Sequence, residues 1–103
     1  MEIKNDTNSK KFTSQVEGGE AYIIYRRGPE NAYELVSTLV PPPARGHNVA
    51  DQLVRMALET AKREQVKIIA TCPYVRSWFK KHPSEQAILQ SPLDTYSSPS
   101  AAT

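Results

Sequence analysis

Two short stretches of the chain hold residues whose types and spacing could do chemistry. The first is Pro41-Pro42-Pro43-Ala44-Arg45-Gly46-His47-Asn48-Val49-Ala50, and it ends where a helical spacing of apolar residues begins. A helix start leaves backbone N–H groups without intrahelical partners, and with the positive end of the helix dipole they form a seat for an anion, phosphate above all. Gly46 lets a ligand approach the backbone, Arg45 adds a permanent charge with forked donors suited to phosphate oxygens, and Asn48 tolerates a left-handed backbone. A plainer role is open to the same residues: Asn48 caps the helix through its side-chain oxygen and Arg45 is solvated. The second stretch is Thr71-Cys72-Pro73-Tyr74, where the one cysteine of the chain ends a short β-branched run and precedes a proline suited to a first helical turn. A thiol so placed is either a reactive group activated by the helix start or a small buried hydrophobe, as most free cysteines are.

The elements that must position these residues follow from periodicity. From Val49 to Glu64 the apolar residues Val49, Leu53, Met56, Ala57 and Ala61 recur at spacings of three and four, one face of an amphipathic helix. Asp51 in its first turn and Lys62 and Arg63 in its last complement the helix dipole. Upstream, Phe12–Val16 alternates and runs into Gly18-Gly19, which predicts a hairpin with Glu20–Arg27. Ala32–Val40 is a third strand, stopped by the three prolines. Val66–Thr71 reads as a fourth strand, buried on both faces, that follows the helix as in a right-handed crossover. Pro73 opens a second helix over Tyr74–Lys81, which Pro83 closes, and Trp78 and Phe79 are assigned to the core. The expected fold is α/β, a mixed sheet in the order βββαβα with helices packed on it.

Composition sets the frame. The 103 residues, 39% apolar and 23% charged, suit one domain, expected over residues 10–90 between a flexible 1–9 and a disordered tail over 91–103. A single cysteine forbids an intrachain disulfide, and two histidines 35 positions apart with that cysteine make no metal set. No apolar run approaches the roughly 20 residues that span a bilayer, and the polar start is unlike a signal peptide, so a cytoplasmic protein without a membrane partner is expected. Thirteen Lys and Arg against eleven Asp and Glu leave +2 in scattered pairs, with neither a basic stripe nor interleaved aromatics to suggest nucleic acid.

Arg45–Ala50 (RGHNVA), after a strand and opening an amphipathic helix, resembles the R-x-x-G-x-G/A signature of GNAT acetyltransferases, with Arg45 in the basic slot, Asn48 in the middle-glycine slot and Ala50 in the final small slot. The stretch from Ile68 through Cys72-Pro73-Tyr74 to Pro83 resembles the minimal single-domain members of that family, and the likeness covers nearly all of Lys11–Pro83. The resemblance implies acetyl-coenzyme A as cosubstrate, its pyrophosphate on Arg45, Gly46, His47, Asn48, Val49 and Ala50. It implies a pantetheine arm in a gap between the third strand and the strand ending at Thr71, held by backbone groups of Leu39 and Val40. An acetyl group would pass to an amine acceptor, small or carried on a protein or peptide. Cys72 would then lie near the thioester, accepting the acyl group or orienting it, while Tyr74 lines the site or merely packs on the sheet edge. Among the proton acceptors His47, His82, Glu34 and Tyr74 no spacing selects one. The alternative is a coenzyme A or acyl-coenzyme A binding module without catalysis; the acceptor and the oligomeric state are not written in the sequence.

Overall fold

The computed structural model describes residues 1–93. Five strands form one sheet in chain order: β1 (Lys4–Asp6), β2 (Lys11–Val16), β3 (Gly19–Arg27), β4 (Tyr33–Leu39) and β5 (Ile68–Ala70). The first four pair antiparallel in succession, and β5 lies parallel to β4. Helix α1 (Val49–Glu64) makes the crossover between them, and α2 (Pro73–Lys81) follows β5. Among the described residues no helix is long and apolar enough to cross a membrane.

The expected order βββαβα is therefore corrected to ββββαβα. Residues 4–6, expected to fray with the rest of 1–9, pair with Thr13, Phe12 and Lys11. β1 is polar and is held by the ladder and by its neighbours: the Tyr25 hydroxyl donates to Asn5 Oδ1 at 2.6 Å, the Ser9 N–H donates to Asp6 at 3.1 Å, and Ile3 packs on the core. At the other end Leu93 packs partly buried against the core, and the tail expected over 91–103 lies from residue 94 onward outside the described residues.

Alternation along the strands builds one buried face. Phe12, Ala21, Ile23, Tyr25, Tyr33, Leu35, Ile68 and Ala70 share the core with Leu53, Val54, Ala57 and Ala61 of α1 and with Val75, Trp78 and Phe79 of α2, as expected for Trp78 and Phe79. The rings of Phe12, Tyr25 and Tyr33 meet at centroid distances of 4.9 to 5.7 Å. The opposite face carries Thr13, Tyr22, Ile24, Glu34 and Ile69, none of them fully buried. β5 was expected to be buried on both faces; Ile69 is only partly covered, because both helices lie on the same side of the sheet.

Two details shape the end of the sheet where β4 leads toward α1. The β3–β4 register jumps from Ile24↔Ser37 to Tyr25↔Leu35, leaving Val36 as an extra, bulged residue that bends β4. The β4–β5 ladder ends at Leu35↔Ala70, closed by the Cys72 N–H to Leu35 O bond of 2.8 Å, while β4 runs on to Leu39 paired only with β3. Beyond that bond the two segments are no longer paired. Pro42–Ala44 then forms one turn of 3-10 helix, and Gly18 (φ +92°) of the β2–β3 hairpin backs it so closely that a Cβ there would come within 2.9 Å of the Pro43 ring.

Candidate active site

Asn48 is the N-cap of α1, yet its backbone is left-handed (φ 62°, ψ 23°) and its side chain makes no capping bond. The expected alternative of a side-chain cap is overturned for that reason. The first helical bond runs from the Gln52 N–H to Asn48 O at 3.1 Å, so the N–H groups of Val49, Ala50 and Asp51 precede it without a side-chain cap. Gly46 also has a positive φ (+84°), and a Cβ there would meet nothing within 4 Å, so its backbone angle calls for glycine while the space before it stays open. Arg45, exposed, donates its Nε to Val40 O at 2.9 Å, tying this amide cradle to the end of β4; its Nη donors have no partner among the described residues.

A cleft of about 250 Å³ opens here, lined by Val40, Ala44, Arg45, Gly46, Asn48, Val49, Ala50, Asp51 and Tyr74. It brings together seven of the residues expected from the sequence: Val40, Arg45, Gly46, Asn48, Val49, Ala50 and Tyr74. Three lie apart from it. His47 turns to a separate hollow beside Met1, Gln15 and Val16. Leu39, opposite Tyr22, is 44% exposed. Cys72 is 4% exposed, at the root of the strand gap, with Sγ 3.3 Å from Thr38 Oγ1 of β4. That contact joins the two segments where their pairing ends.

Tyr74, 39% exposed, stands on the α2 side of the cleft. Burial raises its hydroxyl pKa, with Asp51 and the Cys72 sulfur adding to the effect, so near neutrality it is a hydrogen-bond donor. The other proton acceptors considered are engaged or distant. Glu34 receives Arg26 Nε at 2.7 Å and Thr71 Oγ1 at 2.6 Å, and chiefly Arg26, then Thr71, hold its carboxyl below the ordinary range. The His82 ring stacks on Trp78 at 3.9 Å, with Nδ1 2.7 Å from Trp78 O.

Asp51 is the cleft residue whose contacts the sequence did not disclose. Its Oδ1 accepts Trp78 Nε1 at 2.7 Å and its Oδ2 accepts Arg55 Nε at 2.9 Å. Burial pushes its carboxyl upward, but the Trp78 and Arg55 bonds outweigh this and leave it below the ordinary range. Arg55 is an i,i+4 neighbour on the same helix, whereas Trp78 lies 27 positions away on α2. Among the described residues no group of three or more His, Cys, Asp or Glu is placed to hold a metal ion.

An uncapped helix start that opens on a cleft at the end of β4, with one parallel pair in an otherwise antiparallel sheet, defines a mixed α/β domain. Residues 11–88 match the family model described as GCN5-related N-acetyl-transferase, and the chain belongs to that family. It is similar to protein NATD1 of Gallus gallus, 27% identical over 88 residues that cover 84% of this chain and 80% of that protein. Protein NATD1 of Homo sapiens is 27% identical over 84% of this chain and 78% of its own length, and that of Danio rerio 25% over 84% and 80%.

Proposed function

We propose that this chain is an acetyl-coenzyme A-dependent N-acetyltransferase acting on an amine, on a protein or peptide in particular. The observation that carries this is the start of α1, a left-handed and uncapped helix entry whose amides line an open cleft next to the β4–β5 gap. The pyrophosphate would sit on the backbone from Gly46 to Ala50, His47 included through its main chain, with Arg45 supplying charge. Leu39 and Val40, beyond the last β5 partner, would offer backbone groups to the pantetheine arm, much as an added strand is held. Cys72 would flank the thioester and shape its seat through the Thr38 contact, while transfer runs directly. The amine nitrogen attacks the carbonyl carbon, the C–S bond breaks, the nitrogen yields its proton to water, and the Tyr74 hydroxyl gives its proton to the leaving thiolate and regains one from water. The sheet face left uncovered by the two helices, among the described residues, favours an acceptor carried on a larger molecule.

The test combines a thermal shift with acetyl-coenzyme A and a free-thiol release assay over polyamines and lysine peptides. Binding with turnover supports the proposal, and no shift at millimolar ligand refutes it. Arg45→Ala should weaken binding about tenfold, the value of one charge-assisted contact. Cys72→Ala should retain transfer; abolished transfer with normal binding would instead require an acyl-cysteine. The second possibility, a coenzyme A or acyl-coenzyme A binding module, is favoured by one observation: Glu34, the only carboxylate named as a base, is already bonded to Arg26 and Thr71. It predicts the thermal shift without thiol release.

A further inference from the structure

We infer that Asp51 is a fixed counter-charge in the cradle, opposing a diphosphate there and setting how tightly it is held. The inference rests on the proposal that the start of α1 seats a diphosphate, and deepens it by naming the residue that tunes the seat. Asp51 lines the same cleft as Arg45, Gly46 and Asn48, and its own N–H is one of the three that precede the first helical bond. An anion drawn to these amides therefore meets a carboxylate carried by the same turn. The carboxylate is held in place, with Trp78 Nε1 on one oxygen at 2.7 Å and Arg55 Nε on the other at 2.9 Å. Arg55 offsets part of its charge, while its Nη2 also lies 3.5 Å from His82 Nε2.

Two physical effects then act in opposite directions. In the empty protein Asp51 stabilises α1, because an acidic residue in the first turn complements the dipole and here also ties α1 to α2. With a diphosphate present in the cleft that Asp51 lines, the same charge repels the ligand. At the effective dielectric of a partly exposed site, removing it should tighten binding about three- to tenfold. A residue that merely holds the fold would weaken binding when changed. A counter-charge strengthens binding while the empty fold loses stability.

Asp51→Asn keeps an oxygen for the Trp78 donor and removes the charge, and Arg55→Gln removes the offset. Affinity for inorganic pyrophosphate and for coenzyme A would be measured by calorimetry at low and high salt, alongside urea unfolding of the ligand-free proteins. Asp51→Asn should bind pyrophosphate about three- to tenfold tighter at low salt, with the advantage shrinking at high salt, and unfold at lower urea. Arg55→Gln should bind more weakly than the wild type. Equal or weaker pyrophosphate binding by Asp51→Asn overturns the role of Asp51, whatever coenzyme A does. Tighter pyrophosphate binding by that variant, with coenzyme A taken by neither protein, would remove the acetyltransferase proposal and leave the counter-charge standing.

Discussion

At Asn48 one side chain meets a backbone demand that glycine would meet without a Cβ. The left-handed angle of this N-cap is what frees the amides of the first turn, because an ordinary extended N-cap would aim its own side chain at them. Asn is the side chain best able to bear that angle, yet it bears it at a cost. Asn48→Gly should stabilise the ligand-free protein by about 0.5–1 kcal/mol, the strain relief being partly offset by the freer unfolded chain. The same variant should bind coenzyme A more tightly by removing a side chain from the mouth of the cleft. Urea unfolding and calorimetry check both, and a variant that is less stable would mean that the asparagine side chain supports the loop. At this scale the sequence was informative: the cluster from Arg45 to Ala50 could be picked out by residue type alone. What it left open was whether Asn48 capped, since the same residue serves both geometries.

Between elements, the seam of α1 and α2 is where sequence reasoning stopped short. Asp51 reads locally as a dipole complement and Trp78 as a core residue, and both are correct, but the bond between them depends on a crossover that brings two helices onto one sheet face. Trp78→Phe removes the indole donor and leaves a partly buried carboxylate oxygen unpaired, so stability near neutrality should fall by about 1–2 kcal/mol. The pH dependence has a definite sign. Asp51 titrates lower in the folded than in the unfolded chain, so its contribution is present above the ordinary aspartate pKa of about 3.9 and is lost as pH falls below it. The stability difference between the wild type and Trp78→Phe should therefore be full at neutral pH and narrow below about pH 4. Glu34, also held low by Arg26 and Thr71, should leave an acid-sensitive limb in both proteins. Unfolding followed by circular dichroism from pH 3 to 7 reads this; a difference that stayed constant with pH would assign the loss to ring packing alone.

Across the whole molecule, the chain orders its sheet by sequence, and each strand except β1 announces itself through apolar or β-branched residues. β2, β3, β4, α1, β5 and α2 were all legible, the helix boundaries to within a residue, because the hydrophobic period marks each element and Gly18-Gly19, Pro41–Pro43, Pro73 and Pro83 mark the turns and ends between several of them. β1 was not, since Lys4-Asn5-Asp6 has no apolar face and gains its order from partners elsewhere: the β2 ladder, the Tyr25 hydroxyl and the packing of Ile3. The uncovered sheet face was equally hidden, because alternation tells which residues share a face but not how many layers cover it. The terminus offers a direct discrimination. If residues 2–9 were frayed, deleting them would leave stability unchanged. As an edge strand they close the β2 ladder and satisfy the hydroxyl of the buried Tyr25, so the deletion should cost about 1–3 kcal/mol. Asn5→Ala, which removes only the hydroxyl's partner, should cost about 1 kcal/mol of that. Urea midpoints of the full chain, Asn5→Ala and the deletion decide it: the midpoints must fall in that order for β1 to be a working strand, and coincident midpoints would return residues 2–9 to an ornament on a four-stranded sheet.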